Sequence, residues 1–306
     1  MDQGREHEWL TESAGIVELR DRAIISVGGD DARDWIQGQV TNQVEGVPAG
    51  GSVYAFVLTL KGRTLADVFV LIGDDEIWLD VPKAQVDALL ARLDRYIIME
   101  DVDLEHRPDL GLIAAVGPLA GEVGQGGWPA DRLGQGGRQW VVSNDALSSE
   151  RDRLVARCQE LGGGLVGEGA WRRAHVLLGR PLFGIDFGDW TYPQETGLHE
   201  LAVSFKKGCY IGQETVVMLE NRGKAPKVLW RWAVEGREPP AAKTPILQGE
   251  AVVGEISSAV SEGDGCLALG FLKRGHEGQG AEGFSVDGRA ARALGPVAGG
   301  PGLAIS

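Results

Sequence analysis

Lys207-Gly-Cys-Tyr-Ile-Gly-Gln-Glu214 is the stretch on which the reading of this chain turns. A cysteine stands here between two glycines, with Lys206 and Lys207 ahead of it and Gln213-Glu214 behind. Gly208 and Gly212 permit close backbone approach or a positive φ, and a lysine aimed at a thiol favours its thiolate. On residue chemistry alone two readings of Cys209 stand: a functional thiol, or a small buried hydrophobe at a tight turn, the commoner fate of a lone cysteine. No histidine adjoins it in sequence, although folding could bring His175 or His199 near as a base.

The setting of this stretch is basic. From Lys206 to Arg231 there are six basic residues (Lys206, Lys207, Arg222, Lys224, Lys227, Arg231) against two acidic ones (Glu214, Glu220). Such an inversion favours an anionic partner there, with a solvated face as the plain alternative. The whole chain carries a net charge of -14 over 306 residues, which disfavours a general nucleic-acid coat protein or a membrane-surface binder. Cys158, Cys209 and Cys266 are odd in number and lack the paired spacing of a zinc or iron–sulfur site, so they read as reduced thiols, with no metal held by the chain. The polar N-terminus lacks the pattern of a signal peptide, and no apolar run reaches membrane length. The expectation is a cytoplasmic protein.

Working outward, hydrophobic periodicity predicts a strand over 22–27, a helix over 32–40 and three β-branched segments over 53–58, 66–72 and 76–81, an antiparallel meander. Val86, Leu89, Leu90, Leu93 and Ile97 stripe a helix over 83–97. A strand over 110–116, a glycine-rich loop over 117–137, a strand over 139–142 and a helix over 149–161 capped by Ser148 or Ser149 form a second α+β unit. A helix over 170–178 leads into irregular chain with Trp190, Tyr192 and Pro193, the texture of a pocket wall. Beyond Pro226, β segments over 228–234, 251–257 and 267–272 indicate a β-barrel or sandwich. The fold class is α+β, divided as 1–108, 109–165, a return segment 166–226 and a C-terminal barrel 227–306. Glu195 could bond a heterocycle with paired donors or serve as a cap, and Lys61-Gly-Arg63 falls where a hairpin turn is expected. The glycines around Gly124 lack the spacing of a phosphate-binding loop.

The octapeptide 207–214 resembles the signature of the YgfZ-type folate-binding proteins, relatives of the glycine-cleavage T-protein. The similarity extends to Asp31–Asn42, Leu58–Arg63, Arg95-Tyr-Ile, Val203–Lys206, Arg222-Gly-Lys224, Gly254–Ser258 and Leu267–Arg274. It implies a three-domain T-protein-like ring with a central channel for tetrahydrofolate or a one-carbon derivative. It further implies a role in assembly or repair of iron–sulfur client proteins, including enzymes that modify tRNA. By the same resemblance Cys209 and Lys207 stand at the working end, Glu195 meets the pterin, and His175, Arg173, Tyr210, Gln213 and Arg222 surround the folate. Two departures weaken the expected grip on folate: His175 stands where the family carries an arginine, and Met218 where it carries a basic residue. A monomer without direct DNA or membrane binding is expected. The alternatives are an aminomethyltransferase- or demethylase-like enzyme, in which folate accepts a one-carbon unit, and a degenerate member that no longer binds folate.

Overall fold

The structure, a computed structural model, describes residues 3–222, 225–276 and 283–297, with only the backbone of Arg222. It opens on helix α1 (Gln3–Glu12) and strand β1 (Gly15–Glu18), neither of which the periodicity announced. The reason is local: α1 buries only Leu10 and Glu6, so it shows no apolar stripe, and Glu6 is held inward by accepting the Gly167 N–H at 2.7 Å.

The first sheet holds β2 (Arg22–Gly28), β3 (Ser52–Leu58), β4 (Thr64–Ile72), β5 (Ile77–Pro82) and β6 (Asp103–His106) in the order β3-β4-β5-β2-β6. Every pairing in it is antiparallel, and β3 to β5 form the expected meander. One face buries Ile25, Val27, Val68, Val70 and Leu79 under α2 (Ala32–Gln39) and α3 (Val86–Asp94), through Trp35, Ile36, Leu89 and Leu93. Helix α3 is shorter than the stripe predicts: a 3-10 turn over Lys83–Gln85 precedes it, and it ends at Asp94.

The second sheet runs β10-β1-β7-β9-β8, with β7 (Leu110–Val116), β8 (Trp128–Pro129), β9 (Gly137–Ser143) and β10 (Gly164–Leu165). Strand β1, from the far N-terminus, is interior to it. Helix α4 (Asn144–Glu160) starts at Asn144, five residues ahead of the serine expected to begin it. Its first residues are polar and leave no periodic trace, and the start is fixed by Asn144, whose amide donates to Pro108 O at 2.8 Å. The glycine-rich run also has shape. It contains β8, whose Trp128 indole donates to Ile72 O at 2.8 Å and so ties the two sheets together. Beyond β8, Asp131 Oδ1 accepts from Gly134 N and Gln135 N, closing a tight turn.

Helix α5 (Glu168–Leu177) then leads into irregular chain, α6 (His199–Ala202) and α7 (Gln213–Arg222). The C-terminal part is a closed barrel of β11 (Lys227–Glu235), β12 (Pro245–Gln248), β13 (Ala251–Glu262), β14 (Gly265–Lys273), β15 (Phe284–Val286) and β16 (Arg289–Pro296), ordered β11-β14-β13-β12-β15-β16. Closure leaves no free edge; Trp232 fills the interior against Phe284 at 5.2 Å between ring centroids. Among the described residues no helix is long and apolar enough to cross a membrane.

Candidate functional site

A cavity of about 220 Å³ lies where the two sheets, α5 and the chain 180–201 meet. Tyr54, Phe69, Trp171 and Phe183 contribute aromatic walls, while Arg22, Asp67, Arg132, His175 and Arg180 supply polar groups. They come from several separate places in the chain. Tyr54, Asp67 and Phe69 stand on β3 and β4, Arg132 on the glycine-rich turn, and Trp171 and His175 one turn apart on α5.

The charged groups form one network. Arg22 Nη1 donates to Asp67 Oδ1 at 2.7 Å and Arg22 Nε to Asp80 Oδ1 at 2.6 Å, while Arg132 pairs with the other oxygen of Asp80. Arg132 also bonds Gln139 Oε1 at 2.5 Å, and Tyr54 OH donates to Asp67 Oδ2 at 3.2 Å. Burial works against the Arg22 cation, yet Asp67 and Asp80 outweigh it and raise its pKa. Burial likewise opposes the Asp80 anion, but Arg132 and Arg22 overcome that and hold its pKa down. Such a network must be complete to be tolerated, because an uncompensated buried charge costs several kcal/mol, roughly 3–5 when one partner is removed. Two arginines facing two aspartates leave the network formally neutral.

His175 belongs to the same wall. Its Nδ1 lies 2.8 Å from Arg180 O, which as a carbonyl can only accept, so Nδ1 carries the proton and Nε2 is bare. Burial pushes its pKa down to about 3, with Arg132 and Arg180 adding to the effect. The ring is therefore neutral across the physiological range and supplies none of the charge of an arginine.

The octapeptide contributes no residue to the cavity lining. Tyr210 packs with Phe56, Leu58, Phe187, Leu198, Ala202, Val203 and Val216, a cluster of which Leu198 also lines the cavity. Cys209 itself is exposed, whereas Cys158 and Cys266 are buried with their thiols against the carbonyls of Ala14 and Gly236. Lys207 reaches back to the C-terminal end of α2, where its ammonium donates to the carbonyls of Gln37, Val40 (2.7 Å) and Asn42 (2.9 Å). All three of its N–H groups are thus spent on a helix end whose carbonyls lack partners. Burial lowers its pKa to about 8.

Both glycine motifs meet back to back. A Cβ on Gly212 would stand 2.4 Å from Thr59 O, and one on Gly62 would stand 2.8 Å from Thr215 Cβ; both glycines have positive φ, 84° and 75°. The turn Lys61-Gly-Arg63 is therefore the seat of the octapeptide. Arg63 donates to Trp190 O and stacks over Tyr192 at 4.4 Å, fastening the irregular chain to the same turn.

Of the residues expected at the site, His175 borders the cavity, and the other described ones do not. Glu195 does not reach it: its Oε2 accepts from Tyr192 N at 2.8 Å, so it caps its own 3-10 turn, and burial raises its pKa. Arg173 points away toward the barrel, where it pairs with Glu262 and the Ser261 carbonyl. Lys207 is committed to α2 rather than to a ligand tail. Tyr210 is core, its pKa raised to about 12 by burial, and Gln213 accepts from Tyr210 N at 3.2 Å as a local cap. The side chain of Arg222, and Lys224, lie outside the described residues. Sequence reading missed Arg22, Tyr54, Asp67, Asp80 and Arg132. The one available signal was charge inside otherwise apolar strands, Asp67 in Thr64–Ile72 and Asp80 in Ile77–Pro82, where an unpartnered carboxylate is not tolerated.

With this geometry in hand, known proteins give the context. The family described as GCVT N-terminal domain matches residues 2–131. Among curated relatives, the tRNA-modifying protein YgfZ of Yersinia pestis is 25% identical over 274 residues, spanning 82% of this chain and 82% of the relative. The protein of the same name from Colwellia psychrerythraea is 24% identical over 228 residues, 70% of each. Among solved structures, the glycine cleavage system aminomethyltransferase T from Bartonella henselae superposes with a TM-score of 0.81 at 17% identity, covering 96% of this chain and 88% of that one. The T-protein-like fold is thereby shown, and the relatives that the chain resembles are the ones whose signature the octapeptide resembles.

Proposed function

We propose, proceeding from the chain's kinship with the YgfZ-type proteins and the glycine-cleavage T-protein, that it is a folate-binding accessory protein that supports iron–sulfur enzymes, tRNA-modifying ones among them. The observation that carries the reading is the central cavity. Four aromatic walls suit a flat heterocycle, and Asp67 with Arg132 offers an acceptor and a donor to its edge. At about 220 Å³ it is smaller than the roughly 300–1,000 Å³ of pockets that enclose a whole drug-sized ligand. It therefore takes the ring of tetrahydrofolate and leaves the tail outside. Next to it, a crevice of about 470 Å³ shares Asp21, Trp171, Leu182 and Phe183 with the cavity and gives the tail its room. The part first expected of Glu195 passes in this reading to Asp67. Folate, when bound, would supply a one-carbon carrier; the chain's own contribution is to stack the ring and shield it from water.

The octapeptide is a separate working face. Its exposed thiol is presented on a loop locked to α2 by Lys207 and to the turn 61–63 by Gly212, which suits contact with a macromolecular client better than contact with folate. This favours the accessory reading over the enzyme one, because the exposed thiol stands outside the cavity that would hold folate.

Isothermal titration of tetrahydrofolate into wild type, Asp67→Asn and Cys209→Ser checks both parts. Binding in wild type, at least tenfold weaker in Asp67→Asn and unchanged in Cys209→Ser, is the expected outcome. Absence of heat in wild type would sink the folate reading. Cells carrying Cys209→Ser with undiminished iron–sulfur enzyme activity would remove the thiol from the function.

A further inference from the structure

A second crevice, of about 570 Å³, opens between α5 and the barrel and shares His175 and Leu182 with the central cavity. At its base is Asp186, only 1% exposed. Its Oδ2 accepts from Leu182 N at 2.9 Å, and its Oδ1 accepts from Ser257 Oγ at 2.5 Å and Ser258 Oγ at 2.6 Å. Two successive strand residues normally point to opposite faces. Here the register of β13 against β14 shifts between Ile256 and Ser258, and this bulge lets both hydroxyls converge on one oxygen.

The consequence is a lopsided lining. Each serine has a single O–H, already given to Asp186, so both present only lone pairs to the crevice. His175 adds no donor, since its Nδ1 proton is spent on Arg180 O and its Nε2 has none. Arg172 and Arg173 border the crevice too, but Arg172 is paired with Glu168, and Arg173 with Glu262 and the Ser261 carbonyl. Among the described residues no ion pair reaches Asp186, and burial raises its pKa. Around these groups the wall is apolar, with Val176, Leu182, Ile185 and Pro240 among its residues. Three neutral donors satisfy the geometry of the carboxylate without cancelling its charge, and buried carboxylates are ordinarily paired with a cation.

The geometry points to a binding site for a primary ammonium group on a short aliphatic stem, seated in the barrel crevice against Asp186, Ser257 and Ser258. The ammonium supplies three donors and a positive charge beside Asp186, Ser257 and Ser258, where the hydroxyl protons are already spent and, among the described residues, no cation is paired with the carboxylate, and the apolar walls take the stem. This site is distinct from the central cavity and does not depend on folate.

Saturation-transfer NMR titrations of n-butylammonium and of its neutral counterpart 1-butanol on the full chain, in wild type and Asp186→Asn, test the assignment. Saturable butylammonium binding, at least tenfold tighter than butanol and lost at least tenfold in Asp186→Asn, is expected, with butanol unaffected by the substitution. Equal affinity for the two probes, no binding of the ammonium, or ammonium binding that survives Asp186→Asn overturns it. Should Asp186→Asn fail to fold, the pair of probes on wild type still decides, since a carboxylate that is only a latch between barrel and core gives the ammonium no advantage.

Discussion

Replacing His175 by glutamine should change the acid sensitivity of the fold by an amount the structure fixes. The histidine is buried and neutral, with its pKa brought from 6.5 to about 3. In the unfolded chain it takes up a proton near pH 6.5, and in the folded chain it refuses one until about pH 3, so falling pH favours unfolding throughout that window. Each unit of pH below the unfolded pKa costs about 1.4 kcal/mol, so by pH 4.5 the wild type should lose about 2.7 kcal/mol through this residue alone. Glutamine cannot titrate. All other ionisable groups are shared, so the stability difference between wild type and His175→Gln isolates the effect. Urea unfolding at pH 7.5, 6.5, 5.5 and 4.5 should show the wild-type advantage shrinking, or its deficit growing, by that amount. A difference that stays constant within about 0.5 kcal/mol would refute the claim that the ring is held neutral, and with it the view that His175 itself brings the cavity no charge.

Three further outcomes follow from the octapeptide. Lys207→Met removes three donors from the end of α2 and should cost about 2–3 kcal/mol in urea unfolding, the order expected for hydrogen bonds to a charged group less the relief of burying it. Gly212→Ala forces a Cβ against Thr59 O at a φ of 84° and should cost about 2–4 kcal/mol, while Gly208→Ala, with nothing within 4 Å of the added carbon, should stay within about 0.5 kcal/mol of wild type. In native protein a thiol reagent such as Ellman's should titrate one cysteine rapidly, and Cys209→Ser should abolish that phase, leaving Cys158 and Cys266 to react only on unfolding. Burial raises the Cys158 pKa to about 11, which slows that thiol further.

Much of the fold was legible because burial writes a period into the sequence. The meander of β3 to β5 and the stripe of α3 are visible in order, as are the apolar segments of the barrel strands β11, β13 and β14. What escaped were elements too short or too little buried to write one: α1 with two inward residues, the four-residue β1, the first turn of α4, and the short strands β12 and β15. Glycines were legible as requirements but not as addresses. Gly62 and Gly212 each read as a turn, and only the folded chain shows that they need each other's closeness.

The candidate site divides in the same way. The sequence by itself carried the resemblance to the YgfZ-type proteins, through eight residues that include Cys209, and set a thiol within a basic stretch. Of the site residues it proposed, His175 stands on the cavity wall. Tertiary structure alone decided that Lys207 serves a helix end, that Glu195 caps its own turn, and that the cavity is lined by Arg22, Asp67 and Arg132, with Asp80 buried against the two arginines. The physical reason is range. A turn, a cap or a periodic face is a contact between near neighbours and is spelled in adjacent letters. The ion pairs of the cavity join residues 45 to 58 positions apart, and which charges face one another there is settled only when two sheets close over them and exclude water.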